Sequence, residues 1–218
     1  MGRKIISRHT YQASLIPRAI NFKPPNHKKS SKFVNVFCGG YTTFLLHESN
    51  TVYAFGLNNY GQLGVDEMFD EEMTVVPQPV VGLDPDFDVI QISGGEHHTI
   101  ALLSNGKVYS CGRSDSGQTG FKSEDPKSSF ELVNSITDPA IRISAGASFS
   151  LVVTDTSNNP DAVDGNKNLW GMGYGEMGQL ANDQEDMEEP EIIDLKSRIV
   201  YSVAAGGQHT LMLLNVKE

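Results

Sequence analysis

The apolar positions of this chain fall in short runs separated by glycine-rich or polar turns, and no long stripe of 3.6-residue period competes with them. "TTFLLH" (42–47) and "TIALLS" (99–104) are β-rich runs followed by "ESN" and "SNG", compositions typical of hairpin turns. "TVYAFG" (51–56) and "KVYSCG" (107–112) return as their partner strands. "NNYGQLG" (58–64) is a loop whose glycines supply positive φ. "DVIQIS" (88–93) and "AIRISA" (140–145) then open the next unit. The pattern predicts an all-β chain.

The same phrases recur in the same order. "GGYTT" (39–43), "GGEHHT" (94–99), "AGASFS" (145–150) and "GGQHT" (206–210) share a small-residue doublet, whose second members Gly40, Gly95, Gly146 and Gly207 are spaced by 55, 51 and 61 residues. "VYAFG", "VYSCG" and "LWGMG" follow the first three, and "YGQLG", "SGQTG" and "MGQLA" follow those. The period varies because "DTSNNPDAVDGNKN" (155–168) stands where the second unit has only "SNGK". Four-stranded units of about 50 residues are the signature of a β-propeller. The reading divides the chain into a basic segment with part of a preceding blade (1–35), blades over 36–90, 91–141 and 142–201 (the last holding the 155–168 insertion), and the start of a final blade (202–218). That is about three and a half blades, fewer than a closed ring needs. A partial propeller exposes sheet edges, so the chain is expected to be completed by further blades of the same polypeptide or by association.

Composition adds an electrical asymmetry. Residues 1–47 contain Arg3, Lys4, Arg8, Arg18, Lys23, Lys28, Lys29 and Lys32 and no acidic residue, while the remainder holds 9 basic and 27 acidic residues. A basic arm on an acidic body suits two electrostatically different partners; a merely solvated arm is the competing reading. Two acidic stretches, 66–72 and 183–191, each follow a "GQL" loop and read either as solvated loop tips or as a field that steers a basic partner. No apolar run is long enough for a membrane span, and no secretory leader is evident at residues 1–20. Cys38 and Cys111 lie in apolar runs beside glycines and read as buried thiols, which suits a reducing compartment.

Enzyme chemistry has little support. There is no phosphate-binding G-x-x-x-x-G-K-[ST], no G-x-S-x-G, no calcium-loop pattern and no cysteine–histidine set for a metal, so no cofactor is expected. His97 and His209 follow the doublet at one offset, with Thr42 and Ser148 at the matching places. They read either as satisfied turn residues or as groups that emerge together on one propeller face. His98 alternates with His97 along the strand and points elsewhere.

"VYAFGLNNYGQLG", "GGEHHTIALLSNGKVYSCGRSDSGQTG", "LWGMGYGEMGQLA" and "RIVYSVAAGGQHTLMLL" resemble the regulator of chromosome condensation family, and more closely the C-terminal half of its chromatin-bound branch that acts on the small GTPase Ran. The resemblance runs over most of residues 1–218 and is weakest before residue 33 and in the 155–168 insertion. The single Trp170 argues against the light-receptor branch, which uses a tryptophan cluster. The resemblance implies a seven-bladed ring whose first blades are not in this sequence. It implies guanine nucleotide exchange on Ran without bond chemistry, with His97 and His209 on the interacting face. It also implies a nuclear, chromatin-associated protein whose basic segment (Arg3, Lys4, Arg8, Arg18, Lys23, Lys28, Lys29, Lys32) meets nucleosomal histones and DNA. A repeat scaffold for protein–protein contact, without exchange, is the alternative.

Overall fold

The computed structural model describes residues 22–25, 32–66, 72–157, 167–182 and 185–215. Strands and turns make up the described residues, and they form four antiparallel sheets in chain order. The first holds β1 (Phe33–Cys38), β2 (Thr42–His47), β3 (Val52–Leu57) and β4 (Met73–Pro79). The second holds β5 (Val89–Gly94), β6 (His98–Leu103), β7 (Val108–Gly112) and β8 (Lys127–Leu132). The third holds β9 (Ala140–Ala145), β10 (Phe149–Asp155), β11 (Lys167–Gly173) and β12 (Met187–Ile192). The last is a hairpin, β13 (Val200–Ala205) with β14 (Thr210–Leu214). Each sheet is an up-and-down meander, and the first strands of consecutive sheets touch. This is an open, partial β-propeller of three blades and half of a fourth.

The hydrophobic core lies between sheets. Phe44, Leu46 and Ala54 of the first sheet pack on Ile92, Ala101 and Leu103 of the second. Ile100, Leu102 and Val108 pack on Ile143 and Val152 of the third, and Phe149, Leu151 and Leu169 are grouped with Val200 and Val203 of the hairpin. The burial of each strand follows from its neighbours. β6 is buried at every position because sheets cover both its faces, whereas β14, of similar apolar composition, alternates because only one face is covered. Its Leu211 and Leu213 stand exposed at the places where Ile100 and Leu102 are buried.

The repeated doublet has a steric cause. In each unit a glycine N–H donates to the carbonyl three residues on: Gly39 to Thr42 (3.0 Å), Gly95 to His98 (2.9 Å), Gly146 to Phe149 (2.8 Å) and Gly206 to His209 (2.9 Å). The side chain of that later residue folds back over the glycine, where a Cβ would collide with it. The register therefore corrects one expectation. His209 matches His98, Phe149 and Thr42, and His97 matches Tyr41, Ser148 and Gln208. Counting from the second small residue misaligned the units, because the glycine that matters is the first of two in "GGYTT" and "GGQHT", the second in "GGEHHT", and stands alone in "AGASFS". The scaffold accepts an aromatic ring here as readily as a small polar group.

The "GQ" loops and the residue after this ring position join one sheet to the next. Within each loop the glutamine side chain accepts from a backbone N–H two residues earlier: Tyr60 to Gln62 (2.9 Å), Ser116 to Gln118 (3.0 Å) and Met177 to Gln179 (3.0 Å). The glutamine backbone carbonyl, thus held, accepts a hydroxyl from the following sheet. Thr99 Oγ1 donates to Gln62 O (2.7 Å), Ser150 Oγ to Gln118 O (2.9 Å) and Thr210 Oγ1 to Gln179 O (2.7 Å). Ser150 spends its one proton on Gln118, so its contact with His98 Nε2 (2.8 Å) requires the imidazole to donate. His98 is thus a buried neutral ring, and burial drives its pKa down from 6.5 to about 3.

Two further expectations change, and two segments go untested. Cys111 is buried and burial raises its pKa, but Cys38 is exposed because no sheet covers that side of β1. The stretch 183–191 is not wholly a loop: its second half is β12, where Pro190 is tolerated because the strand is the outer edge. The middle of 66–72 and most of the 155–168 insertion lie outside the described residues.

Two measurements follow. Thr99→Val deletes the donor to a buried carbonyl and is expected to cost about 1–3 kcal/mol in urea unfolding. Thr43→Val, at the equivalent place with no acceptor among the described residues, is expected to cost under about 0.5 kcal/mol. An equal cost for both would remove the inter-sheet bond as a source of stability. The second concerns pH. A folded-state pKa near 3 against 6.5 unfolded means that the unfolded chain binds the extra proton. Stability is complete above about pH 6.5 and falls as pH drops toward 3, by about 2 kcal/mol at pH 5. His98→Phe, a ring already accommodated at Phe149, is expected to flatten that slope between pH 7 and 5.

Candidate functional site

Alternation of strand direction sends all the first turns of the sheets (residues 39–41, 95–97, 146–148 and 206–209) to the same end as the described parts of the loops after the third strands (58–66, 113–126 and 174–182). That end is a rim of polar, glycine-rich loops. Third-strand glycines make it compact. Gly56, Gly112 and Gly173 have φ of 127°, 102° and 106°, and a Cβ on Gly112 would collide with the His97 carbonyl. The carbonyls of Tyr41, His97 and Ser148 accept from the N–H of Leu57 (3.0 Å), Arg113 (2.8 Å) and Tyr174 (2.9 Å), so each first turn is locked to its loop.

His97 stands on this rim, partly exposed, at the junction of the first two sheets. Its ring lies 5.0 Å from that of Tyr60 and 6.2 Å from that of Tyr41. Its Nδ1 is shielded and has no hydrogen-bond partner among the described residues. The Arg113 guanidinium sits 5.3 Å from the Tyr60 centroid. It is fixed there by a bidentate bond to Asp115, Nε to Oδ1 at 2.9 Å and Nη2 to Oδ2 at 2.6 Å. That bond raises the pKa of Arg113; burial alone would raise that of Asp115, but the guanidinium overrides it and holds the carboxyl low. Tyr41, Tyr60, His97 and Arg113 thus form a rigid aromatic and cationic patch. Tyr41 and Tyr60 were not singled out in the sequence, although both sit inside the repeated phrases at the offsets that put them on the rim.

His209 lies on the same end, two sheets away, on the turn of the hairpin and exposed because no following sheet covers it. The rim therefore carries both histidines but does not bring them into contact. His98 points between sheets and is no part of this surface.

The described part of the second acidic segment, 185–191, borders the rim. Asp186 Oδ1 accepts from Gly175 N–H (2.7 Å), Tyr174 donates its hydroxyl to Glu176 (2.7 Å), and Glu188 pairs with Lys122. Part of this acidity is spent on holding loops, while Glu185, Glu189 and Glu191 face solvent. The basic segment enters at the other end. Lys32 precedes β1 and its carbonyl accepts from Glu48 N–H (3.0 Å) beside the β2–β3 turn, and Phe22 packs on Tyr53 (5.2 Å between rings). Lys23 and Lys32 are exposed, while Arg3, Lys4, Arg8, Arg18, Lys28 and Lys29 lie outside the described residues. No group of three metal-ligating side chains occurs among the described residues.

Comparison with known proteins agrees with this architecture. The Regulator of chromosome condensation (RCC1) repeat matches over residues 49–102 and 105–153 in one description and over 33–62 and 89–118 in another. The chain is 31% identical over 214 residues to the Regulator of chromosome condensation of Homo sapiens, covering 97% of this chain and 48% of that protein. It is 34% identical over 219 residues to the Xenopus laevis protein of the same name, covering 98% and 47%. Prp20p of Saccharomyces cerevisiae, whose crystal structure was described with its binding to Gsp1p and histones, superposes with a TM-score of 0.82 at 22% identity, over 100% of this chain and 49% of its own. The chain thus spans about half the length of the relatives it matches. With recurrent sheets, glycine-locked turns and continuous similarity all in agreement, this chain belongs to the regulator of chromosome condensation repeat family.

Proposed function

We propose that this chain is part of a guanine nucleotide exchange factor for the small GTPase Ran, held at chromatin in the nucleus. The observation that carries the reading is that similarity to the human and frog regulators runs over 97–98% of the chain, well beyond the glycine-rich phrases common to all repeats of this class. Exchange of this kind breaks no bond. The factor binds the nucleotide-free GTPase more tightly than the loaded one, and that difference in affinity expels GDP or GTP. The rim suits such a role because it is rigid and combines aromatic area with fixed charge, the composition of strong interface anchors. In this reading His97 meets the GTPase with Tyr41, Tyr60 and Arg113 around it, and His209 joins it where its ring, unlike that of its register mate His98, is left uncovered by the following blade. The solvent-facing carboxylates of 185–191 speed the approach of a basic partner surface.

The two ends divide the labour. The basic segment joins the first sheet at the end opposite the rim, so nucleosomal DNA or histones and the GTPase need not compete for one surface. A scaffold without exchange activity is favoured by one fact, that the chain spans about half of its relatives.

Both parts have direct tests. Release of labelled GDP from Ran is measured with residues 1–218 set in a complete ring, and His97→Ala with His209→Ala is expected to slow it about ten-fold or more. Unchanged release in the double variant would take both histidines off the interacting face. Nucleosome binding is expected to weaken steeply with salt, the slope of log K against log salt approaching about −7 if all eight basic side chains contact phosphate. A flat salt response, or full binding after deletion of residues 1–32, would sink the tether.

A further inference from the structure

The patch around His97 is built from side chains that the scaffold does not need. Three positions show it, because other units perform the same local tasks with different residues. The Arg113 N–H locks a first turn by donating to the His97 carbonyl, and Leu57 and Tyr174 do the same for Tyr41 and Ser148. The Tyr60 N–H donates to its loop glutamine, and so do those of Ser116 and Met177. Asp115 Oδ1 accepts from Gln118 Nε2 (3.4 Å), and in the first unit Asn59, an uncharged amide, accepts from Gln62 Nε2 at 2.9 Å. A ring, a guanidinium and a carboxylate are therefore surplus to folding at these places, yet they converge from two different sheets.

Their geometry is that of a fixed donor. Arg113 is clamped to Asp115 through Nε and Nη2, and its guanidinium lies over the Tyr60 ring. Of the five N–H groups of a guanidinium, the clamp takes one on Nε and one on Nη2, which leaves both on Nη1 and one on Nη2. The two side chains are 36% and 39% exposed, so the remaining donors are open to a partner. The positive charge is already answered. Asp115 neutralises it, and Glu96 on the adjacent first turn adds a second negative charge to its surroundings. A partner carboxylate would be repelled by both, whereas an uncharged oxygen would meet only the donors.

Resting on the exchange reading, we propose that Arg113 is a specificity-determining contact for the GTPase, that its free N–H groups take backbone or other uncharged oxygens of that partner, and that Asp115 is a positioning residue that acts through Arg113. A guanidinium held by a carboxylate and a ring loses little side-chain freedom on binding, so its hydrogen bonds are not offset by ordering. The clamped pair carries no net charge, so it governs how long the complex lasts. The rate of encounter is left to the solvent-facing carboxylates of 185–191.

The test is binding of nucleotide-free Ran to residues 1–218 set in a complete ring, with association and dissociation rates read separately. Arg113→Ala is expected to raise the dissociation rate about ten-fold and to leave the association rate within about two-fold. Arg113→Lys carries the charge without the planar fork and is expected to behave like Arg113→Ala. Asp115→Asn keeps the acceptor for Gln118, as Asn59 does for Gln62. It is expected to raise dissociation about three-fold beside Arg113, and not at all once Arg113→Ala has been made. The loss from Arg113→Ala is expected to be equal at about 50 mM and about 300 mM salt. An effect of Asp115→Asn that persists in the Arg113→Ala background would reduce Asp115 to a structural residue and overturn its assignment. A loss that fades with salt would give the guanidinium to a carboxylate and overturn the partner chemistry. His97→Ala separates two levels of failure. If it weakens binding and Arg113→Ala does not, Arg113 drops out while the exchange reading stands; if neither weakens binding, the rim itself is not the interacting face.

Discussion

The bond from a hydroxyl of one sheet to the glutamine carbonyl of the sheet before it is the constraint on which the rest of the architecture depends. Each sheet is a simple meander that would be marginal alone, since it buries no core of its own. Its apolar residues are removed from water only when the next sheet arrives at the right angle. The contacts of Thr99, Ser150 and Thr210 with Gln62, Gln118 and Gln179 set that angle at the rim end, and at the first two of these joints both partners are buried. A buried carbonyl left without a donor is costly, so the geometry is enforced by penalty as much as by attraction. The inner edge is fixed by backbone–backbone hydrogen bonds between sheets. Gly40 N–H donates to Gly95 O (2.9 Å) and Glu96 N–H to Ala147 O (3.0 Å), across a gap that admits no Cβ at Gly39 or Gly94.

This explains why the rim is available for binding. The groups that hold the sheets together face inward or sideways, and the residues one step earlier in each first turn, Tyr41, His97, Ser148 and Gln208, are no part of the hydroxyl–carbonyl joint, although the His97 ring does lie against Tyr41 and Tyr60 of the preceding sheet. They sit on locked backbone yet are released from packing, which lets them differ from unit to unit. Rigidity without a packing role is what a recognition surface needs, because little conformational entropy is lost when a partner arrives. The adjacent histidines of "GGEHHT" show the division within one dipeptide. His98 is a neutral ring sealed between sheets and serves the scaffold, while His97 stands among two tyrosines and an arginine and faces solvent.

How much of this could be read in the sequence follows from which residues repeat. The second and third strands of the first two units and the opening strands 88–93 and 140–145 were legible as apolar runs with fixed turns, along with the all-β, partial-propeller architecture, whereas β1 was not and the expected boundary at residue 35 falls inside it. The outer strands did not announce themselves. Met73–Pro79, Lys127–Leu132 and Met187–Ile192 are edge strands packed on one side, so they carry prolines and charges and lack clean alternation. The matching of His97 with His209 failed for a different reason. Small residues flank the essential glycine on both sides, and only the strand register tells which one lies under the ring. The halves of the three joints stand in the sequence as "GQ" in one unit and "HT" or "FS" in the next, but they lie 31 to 37 residues apart, and nothing in the sequence links them.

The same logic bears on what a chain of this kind is in isolation. In an array stabilised by nearest neighbours, the terminal units lack half of their contacts and are ordinarily capped by polar faces. Among the described residues this array has no such caps. Val36 at one end and Leu211 and Leu213 at the other are apolar and exposed, at positions that are buried wherever a neighbour exists. The sequence of the end sheets is that of interior sheets, and even the unused hydroxyl of Thr43 and the curved backbone at Gly56 are kept. Solvent would reward a charged residue at Val36 or Leu213, and the chain has none there. The physical chemistry of the two faces is therefore that of surfaces meant to be covered.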